Sequence, residues 1–221
     1  TNTAAASDTQ QVYMPVAQGL LSSPTQTSTP DALIIGPASG TVDHAVAWLT
    51  ARSNPSYTAY DIGTIVARYR DLGNWAGVDW FLAVAQMAHE TGSLTSWWSQ
   101  RPRRNPAGIG VTGRTMAGQP RSLDWAKRDD GVWAEGVAFP TWEQDAIPAH
   151  LGRLLAYTLP AGQGTPAQQQ LIAQALAIRP LPAAFRGAAT RLQGLNGRWA
   201  WPGLFYAQKL AALANTLVRR V

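Results

Sequence analysis

From Thr41 onward, apolar residues recur at intervals of three and four. Val42, Ala45, Val46 and Leu49 follow a possible Thr41 cap, and Ile62, Ile65, Val66 and Tyr69 follow Asp61. Each set marks one face of an amphipathic helix. The run WFLAVAQMAHE behind Asp79 is different, because it is apolar almost all round. That pattern predicts a central helix with Gly92 as its C-terminal stop. Thr141-Trp142-Glu143-Gln144 fits a capping box, and the helix it opens continues over 149–159, with Pro148 either bending it or starting it afresh. Further helices are expected over 166–178, 182–192 and 204–220, separated by Gly and Pro.

The helical period fails in two places. Residues 97–139 are rich in Gly and Arg. They read as loops carrying a short hairpin, Leu123–Lys127 against Val132–Phe139, around a turn at Asp129-Asp130-Gly131. Residues 1–40 are dominated by Thr, Ser, Gln, Pro and Gly and hold no period, which reads as a loose arm. Two apolar patches, Val12-Tyr13-Met14 and Leu33-Ile34-Ile35, could pin that arm to the body. The expected architecture is a mainly α domain over 41–221 with a small β-hairpin insertion, an α+β fold.

Composition narrows the chemistry. With 221 residues, 46% of them hydrophobic, the chain can bury one full core. A net charge of +5 favours anionic partners. Yet only 14% of residues are charged and no helix is rich in Lys and Arg, so nucleic acid is not expected as a partner. The absence of cysteine removes disulfides, thiolate metal sites and cysteine nucleophiles. His44, His89 and His150 lie far apart, and His89-Glu90-Thr91 lacks the second His of a zinc-protease helix, so neither metal nor cofactor is expected. No stretch reaches the ~20 apolar residues of a membrane span, and no membrane insertion is expected. The chain opens without Met or a basic-then-apolar leader. Its N-terminus reads as a processed end or a boundary, with any export signal already gone.

One carboxylate stands apart from the rest. Glu90 ends the apolar helix directly before its glycine stop, where a charge is costly unless paired or neutralised. A carboxyl in such surroundings holds its proton toward neutral pH and can deliver it to a leaving oxygen, which glycosidic cleavage requires. The alternative is that Glu90 closes the last turn or pairs with Arg101, Arg103 or Arg104. His89, about 100° round the helix from Glu90, is expected to be a core or rim residue.

Several motifs follow in order. They are Ala85-Gln86-Met87-Ala88-His89-Glu90-Thr91-Gly92, Asn105-Pro106-Ala107-Gly108-Ile109-Gly110, Phe139-Pro140-Thr141-Trp142, the helix around His150-Leu151, and Trp199-Ala200-Trp201-Pro202-Gly203-Leu204-Phe205-Tyr206-Ala207-Gln208-Lys209-Leu210. In this order they resemble the bacterial cell-wall N-acetylglucosaminidase family of autolysins and flagellar muramidases, over roughly residues 57–215. The resemblance implies a lysozyme-like fold and peptidoglycan glycan strands as partner. It also implies a secreted or wall-associated location, or a phage origin. Glu90 would be the general acid, and the segment with Asn105, Gly108, Ile109 and Gly110 the neighbouring wall of a cleft. Glycines there let backbone approach a sugar ring closely; a tight loop packed on the core is the other reading. Two departures stand out: the spacing from Phe139 to Trp142 is shorter than the family's, and Trp199 occupies the place of the first Tyr of the closing segment. Tyr206 matches the second, and both are expected to bind substrate.

The second acid is open. Asp124, on the first hairpin arm, is the first choice and Glu135, on the second, is the next, since strand residues can be aimed into a cleft. Asp129 and Asp130 read as turn formers. A separation from Glu90 of ~6.5–9.5 Å would suit an inverting path and ~5–5.5 Å a nucleophile, while a substrate acetamido group acting as internal nucleophile needs no second acid. Among the 10 tryptophans, one or two are expected as stacking platforms for sugar rings. A lytic transglycosylase or muramidase, or a non-catalytic wall-binding or virion module, would share the fold.

Overall fold

A cap sets the start of each early helix. The Thr41 hydroxyl accepts from the His44 N–H at 3.3 Å and opens α1 (Val42–Thr50). The cap of α2 (Ala59–Ala76) is Thr58 rather than Asp61. Asp61 is the reciprocal partner inside the first turn: its N–H donates to the Thr58 hydroxyl at 3.1 Å and its carboxylate accepts from the Thr58 N–H at 2.8 Å. Asp79 accepts from the N–H groups of Phe81 and Leu82 and opens α3 (Trp80–Thr91).

The computed structural model describes residues 28–219. Its remaining elements are β1 (Thr115–Met116), β2 (Trp125–Lys127), β3 (Trp133–Glu135), α4 (Ile147–Thr158), α5 (Pro166–Ile178) and α6 (Tyr206–Val218). Helix α3 is buried on every side from Trp80 to Ala88 and packs against α1, α2 and α6. The pair α4 and α5 closes so tightly that a Cβ on Gly152 would lie 2.0 Å from the Leu171 carbonyl oxygen. Among the described residues no helix is long and apolar enough to cross a membrane.

The fold is mainly helical with a small β insertion, as the pattern of polar and apolar positions predicts. The hairpin forms about its predicted turn, pairing Trp125 with Glu135 and Lys127 with Trp133. Its strands are shorter than expected, and Leu123 is fully outside them at 97% exposure. A third strand, β1, adds to the far side of β3 in the order β1-β3-β2.

Two expectations need correcting. The capping box at Thr141 is completed by Asp145 rather than Gln144, since the Thr141 N–H donates to Asp145 at 2.9 Å. The first turn, Trp142–Ala146, is a π-helix, whose wider spacing brings the next residue under the cap. Pro148 then falls at the start of α4, where its missing N–H costs nothing. The helix expected over 182–192 does not form. Only short 3-10 turns at Ala183–Phe185 and Leu192–Leu195 appear, because Gly187 turns the chain against Pro160.

The stretch from Ser28 to Gly40 lies on the body of the protein. Ser28 exchanges two 2.8 Å hydrogen bonds with the Asn215 side chain. Leu33 and Ile35 bridge to Arg191 and Val78, and Ile34 is part of the core. The Val12-Tyr13-Met14 patch and the rest of residues 1–27 lie outside the described residues.

Candidate active site

Helix α3 carries Glu90 to the edge of the core and stops there. Gly92 takes left-handed angles, φ 57 and ψ 44, which a residue without a side chain adopts freely. Ser93 and Leu94 also have positive φ, 58 and 66. Each such residue costs about 1–2 kcal/mol. Local bonds offset that cost: the Thr91 hydroxyl accepts from the Leu94 N–H at 2.9 Å, the Thr91 carbonyl accepts from Thr95 and Ser96, and the Leu94 side chain is fully buried. The chain therefore turns away sharply and leaves Glu90 at a partly exposed helix end.

Among the described residues no arginine answers Glu90. Arg101 pairs with Asp61 at 2.7 Å, Arg103 donates to the Trp97 carbonyl and stacks on its ring, and Arg104 donates to the Pro102 carbonyl. Burial pushes the Glu90 carboxyl above the ordinary glutamate range, opposed by hydrogen bonds from Tyr206 and Trp199. The Tyr206 hydroxyl donates to Oε1 at 2.5 Å. Burial, and then the Glu90 charge, hold Tyr206 well above the usual phenol value, so it remains a donor. The other oxygen, Oε2, faces Gly108, where an added Cβ would stand 3.8 Å away.

The segment 105–110 does come beside Glu90, through Gly108. Asn105, expected to bind substrate, is instead spent inside the loop. Its side-chain amide donates to the carbonyls of Ile109 and Val137 at 2.8 and 3.0 Å and accepts from the N–H groups of Ala107 and Ile109. Ile109 is buried and its carbonyl also accepts from Val137, so neither side chain is offered to a ligand. Gly110 packs against Val137. The loop is thereby sewn to the irregular segment that follows β3.

The two hairpin acids separate. Asp124 turns toward Arg179 at the end of α5, 3.9 Å away. Glu135 lines a cleft of about 330 Å³ with Trp97, Trp98, Val111, Arg114 and Arg128 among its walls. There it accepts from the Thr112 hydroxyl at 2.5 Å and lies 3.5 Å from Arg114. Trp97 and Trp98 meet edge to face with ring centroids 4.8 Å apart. Gly108 to Val111 connects Glu90 to this cleft, and three residue steps reach at most about 11 Å.

Trp199 and Tyr206, expected to touch substrate, both act on Glu90. Tyr206 is 3% exposed and has no free face for a sugar. Trp199 leans on His150 and Tyr157, with centroids 5.7 and 5.4 Å apart. His89 is a rim residue, its ring edge-on to Tyr206. Sequence reading passed over Gln86, one turn before Glu90, whose amide donates to the Tyr206 hydroxyl at 2.7 Å. The signal was the single polar residue in the buried run from Trp80 to Ala88. In the closing motif before α6, Trp201, Leu204 and Phe205 form an exposed crest.

No protein-family model matches the chain, and no curated protein matches it. Among solved structures, it is similar to the catalytic domain of the autolysin Auto from Listeria monocytogenes. The two share 20% identity and a TM-score of 0.42, over 80% of this chain and 94% of that one.

Proposed function

We propose that the protein is a glycoside hydrolase of peptidoglycan that cleaves the β-1,4 bond after N-acetylglucosamine, with Glu90 as general acid. The observation that carries the reading is a carboxyl at the end of a buried helix, raised by burial, paired with no arginine among the described residues and held by a neutral phenol. Such a group keeps its proton until a glycosidic oxygen takes it. The carboxylate left behind is met by the Tyr206 hydroxyl already aimed at it, which favours the charge as it develops. The order of motifs along the chain supports peptidoglycan as the substrate and a site of action outside the bacterial cytoplasm.

Glu135 is the better placed of the two hairpin acids to activate water, because it opens into the aromatic-walled cleft, whereas Asp124 faces Arg179. A glycan laid from Glu90 past Gly108 would reach Trp97 and Trp98. The test is clearing of purified cell walls by Glu90→Gln, with an expected loss of about 100-fold or more. Unchanged clearing would end the assignment. Mass spectrometry should find a reducing N-acetylglucosamine end; an anhydro end or a reducing N-acetylmuramic acid end would replace the bond specificity. Glu135→Gln should cost activity and Asp124→Asn should not.

A further inference from the structure

Behind Glu90 the polar contacts continue into the core. Gln86 Nε2 donates to the Tyr206 oxygen at 2.7 Å, Gln86 Oε1 faces His150 Nε2 at 3.0 Å, and His150 Nδ1 faces the Tyr69 hydroxyl at 2.8 Å. Gln86 and His150 are 1% and 0% exposed, and Tyr69 is equally buried. A polar string through an apolar core is costly unless every member is satisfied.

Only one sense satisfies it. The sole partner of the Tyr69 hydroxyl among the described residues is His150 Nδ1, so Tyr69 must donate, because a buried phenol proton without an acceptor is what folded proteins avoid. Nδ1 is then bare. Burial keeps His150 neutral, its pKa pushed down to about 3, so its proton is on Nε2 and goes to Gln86 Oε1. That fixes the amide with Nε2 toward Tyr206, and the phenol, already accepting, spends its own proton on Glu90 Oε1.

We infer that Tyr69, His150 and Gln86 are positioning residues whose one-way chain pins the Tyr206 proton on Oε1 and leaves Oε2, beside Gly108, to carry and release the catalytic proton. The catalytic half of this inference rests on Glu90 being the acid; the sense of the chain does not. The titratable groups around Glu90 are Tyr206 from α6 and His89 on α3, with Lys209 of α6 acting on His89. Trp199, from the preceding segment, does not titrate.

Two measurements test it. Nitrogen-15 NMR of the His150 ring should show the neutral tautomer with the proton on Nε2; a proton on Nδ1, or an imidazolium at neutral pH, would overturn the chain whatever the activity. Gln86→Met should lower kcat by about 2- to 10-fold, the worth of a hydrogen bond between neutral groups. KM should hold, and the basic limb of the pH profile should move to higher pH. Tyr69→Phe, which removes one oxygen far from Glu90, should move the limb the same way by less. A purely structural role would lower thermal midpoints and leave the limb in place. Folded Gln86→Met and Tyr69→Phe with the parent kcat and limb, beside an inactive Glu90→Gln, would refute the positioning role while sparing the acid. An active Glu90→Gln would remove the acid and leave the tautomer result to stand.

Discussion

Replacing Tyr206 with Phe deletes one oxygen held between two partners. Gln86 Nε2 donates to it at 2.7 Å and it donates to Glu90 Oε1 at 2.5 Å. The ring keeps its packing, so the cavity left is smaller than a methyl group. Stranding the Gln86 N–H, in a residue 1% exposed, should cost about 1–3 kcal/mol of stability. For a chain of this size each kcal/mol lowers Tm by about 2–4 °C, and the expected fall is roughly 2–12 °C by calorimetry. Catalysis loses a separate quantity. The hydrogen bond lowers the Glu90 pKa against burial, so its removal raises that pKa further, and the basic limb of kcat/KM should move to higher pH. The carboxylate formed as the proton leaves also loses a bond worth about 1.5–3 kcal/mol, which predicts a 10- to 100-fold lower plateau rate. The assay is release of reducing ends from purified peptidoglycan across the acidic to mildly alkaline range. A limb that stays put, or moves to lower pH, would refute the reasoning even if the rate fell.

Other outcomes are equally definite. Glu90→Gln should be at least as stable as the parent at neutral pH. With its folded pKa raised, Glu90 adds stability that is full below the ordinary glutamate range and lost as pH rises through the raised value, so the gap should close on acidification; paired thermal midpoints check this. His150 has the opposite sign: its folded pKa is pushed down to about 3, so its contribution is present above the ordinary histidine value and is lost as pH falls. His150→Phe, less stable at neutral pH, should therefore lose stability on acidification more slowly than the parent, by up to about 1.4 kcal/mol per pH unit, and parallel denaturation curves would contradict it. Gly152→Ala puts a methyl against the Leu171 carbonyl and should destabilise by about 1–3 kcal/mol or more, read from urea midpoints.

Most of the helical frame was legible because burial writes a period into the chain. The apolar run before Glu90 and its glycine stop are α3 and its left-handed cap, and Pro166–Ile178 is α5. The 182–192 segment misled because its apolar residues serve a loop held by Gly187 against Pro160, a contact with no local signature. Glu90 could be singled out by its neighbours in sequence, but the lack of an arginine partner among the described residues could not, since Arg101 is claimed by Asp61 from a distant helix while Arg103 and Arg104 turn to nearby backbone carbonyls, which no sequence pattern announces. Asn105 looked like a ligand-facing residue because turn-forming and sugar-binding asparagines are the same in one dimension. The string from Glu90 to Tyr69 joins four helices and was invisible for the same reason.

The burial of α3 on every side has an evolutionary corollary. The position of Glu90, the proposed proton donor, is inherited from the protein's interior, so a lineage cannot shift that group without rebuilding its own keel. If the proposed activity holds, adaptation to a different substrate would be confined to the periphery: the sheet, the 105–111 turn and the exposed crest at 201–205. Those are the parts a protein engineer could exchange as cassettes while leaving the helix untouched.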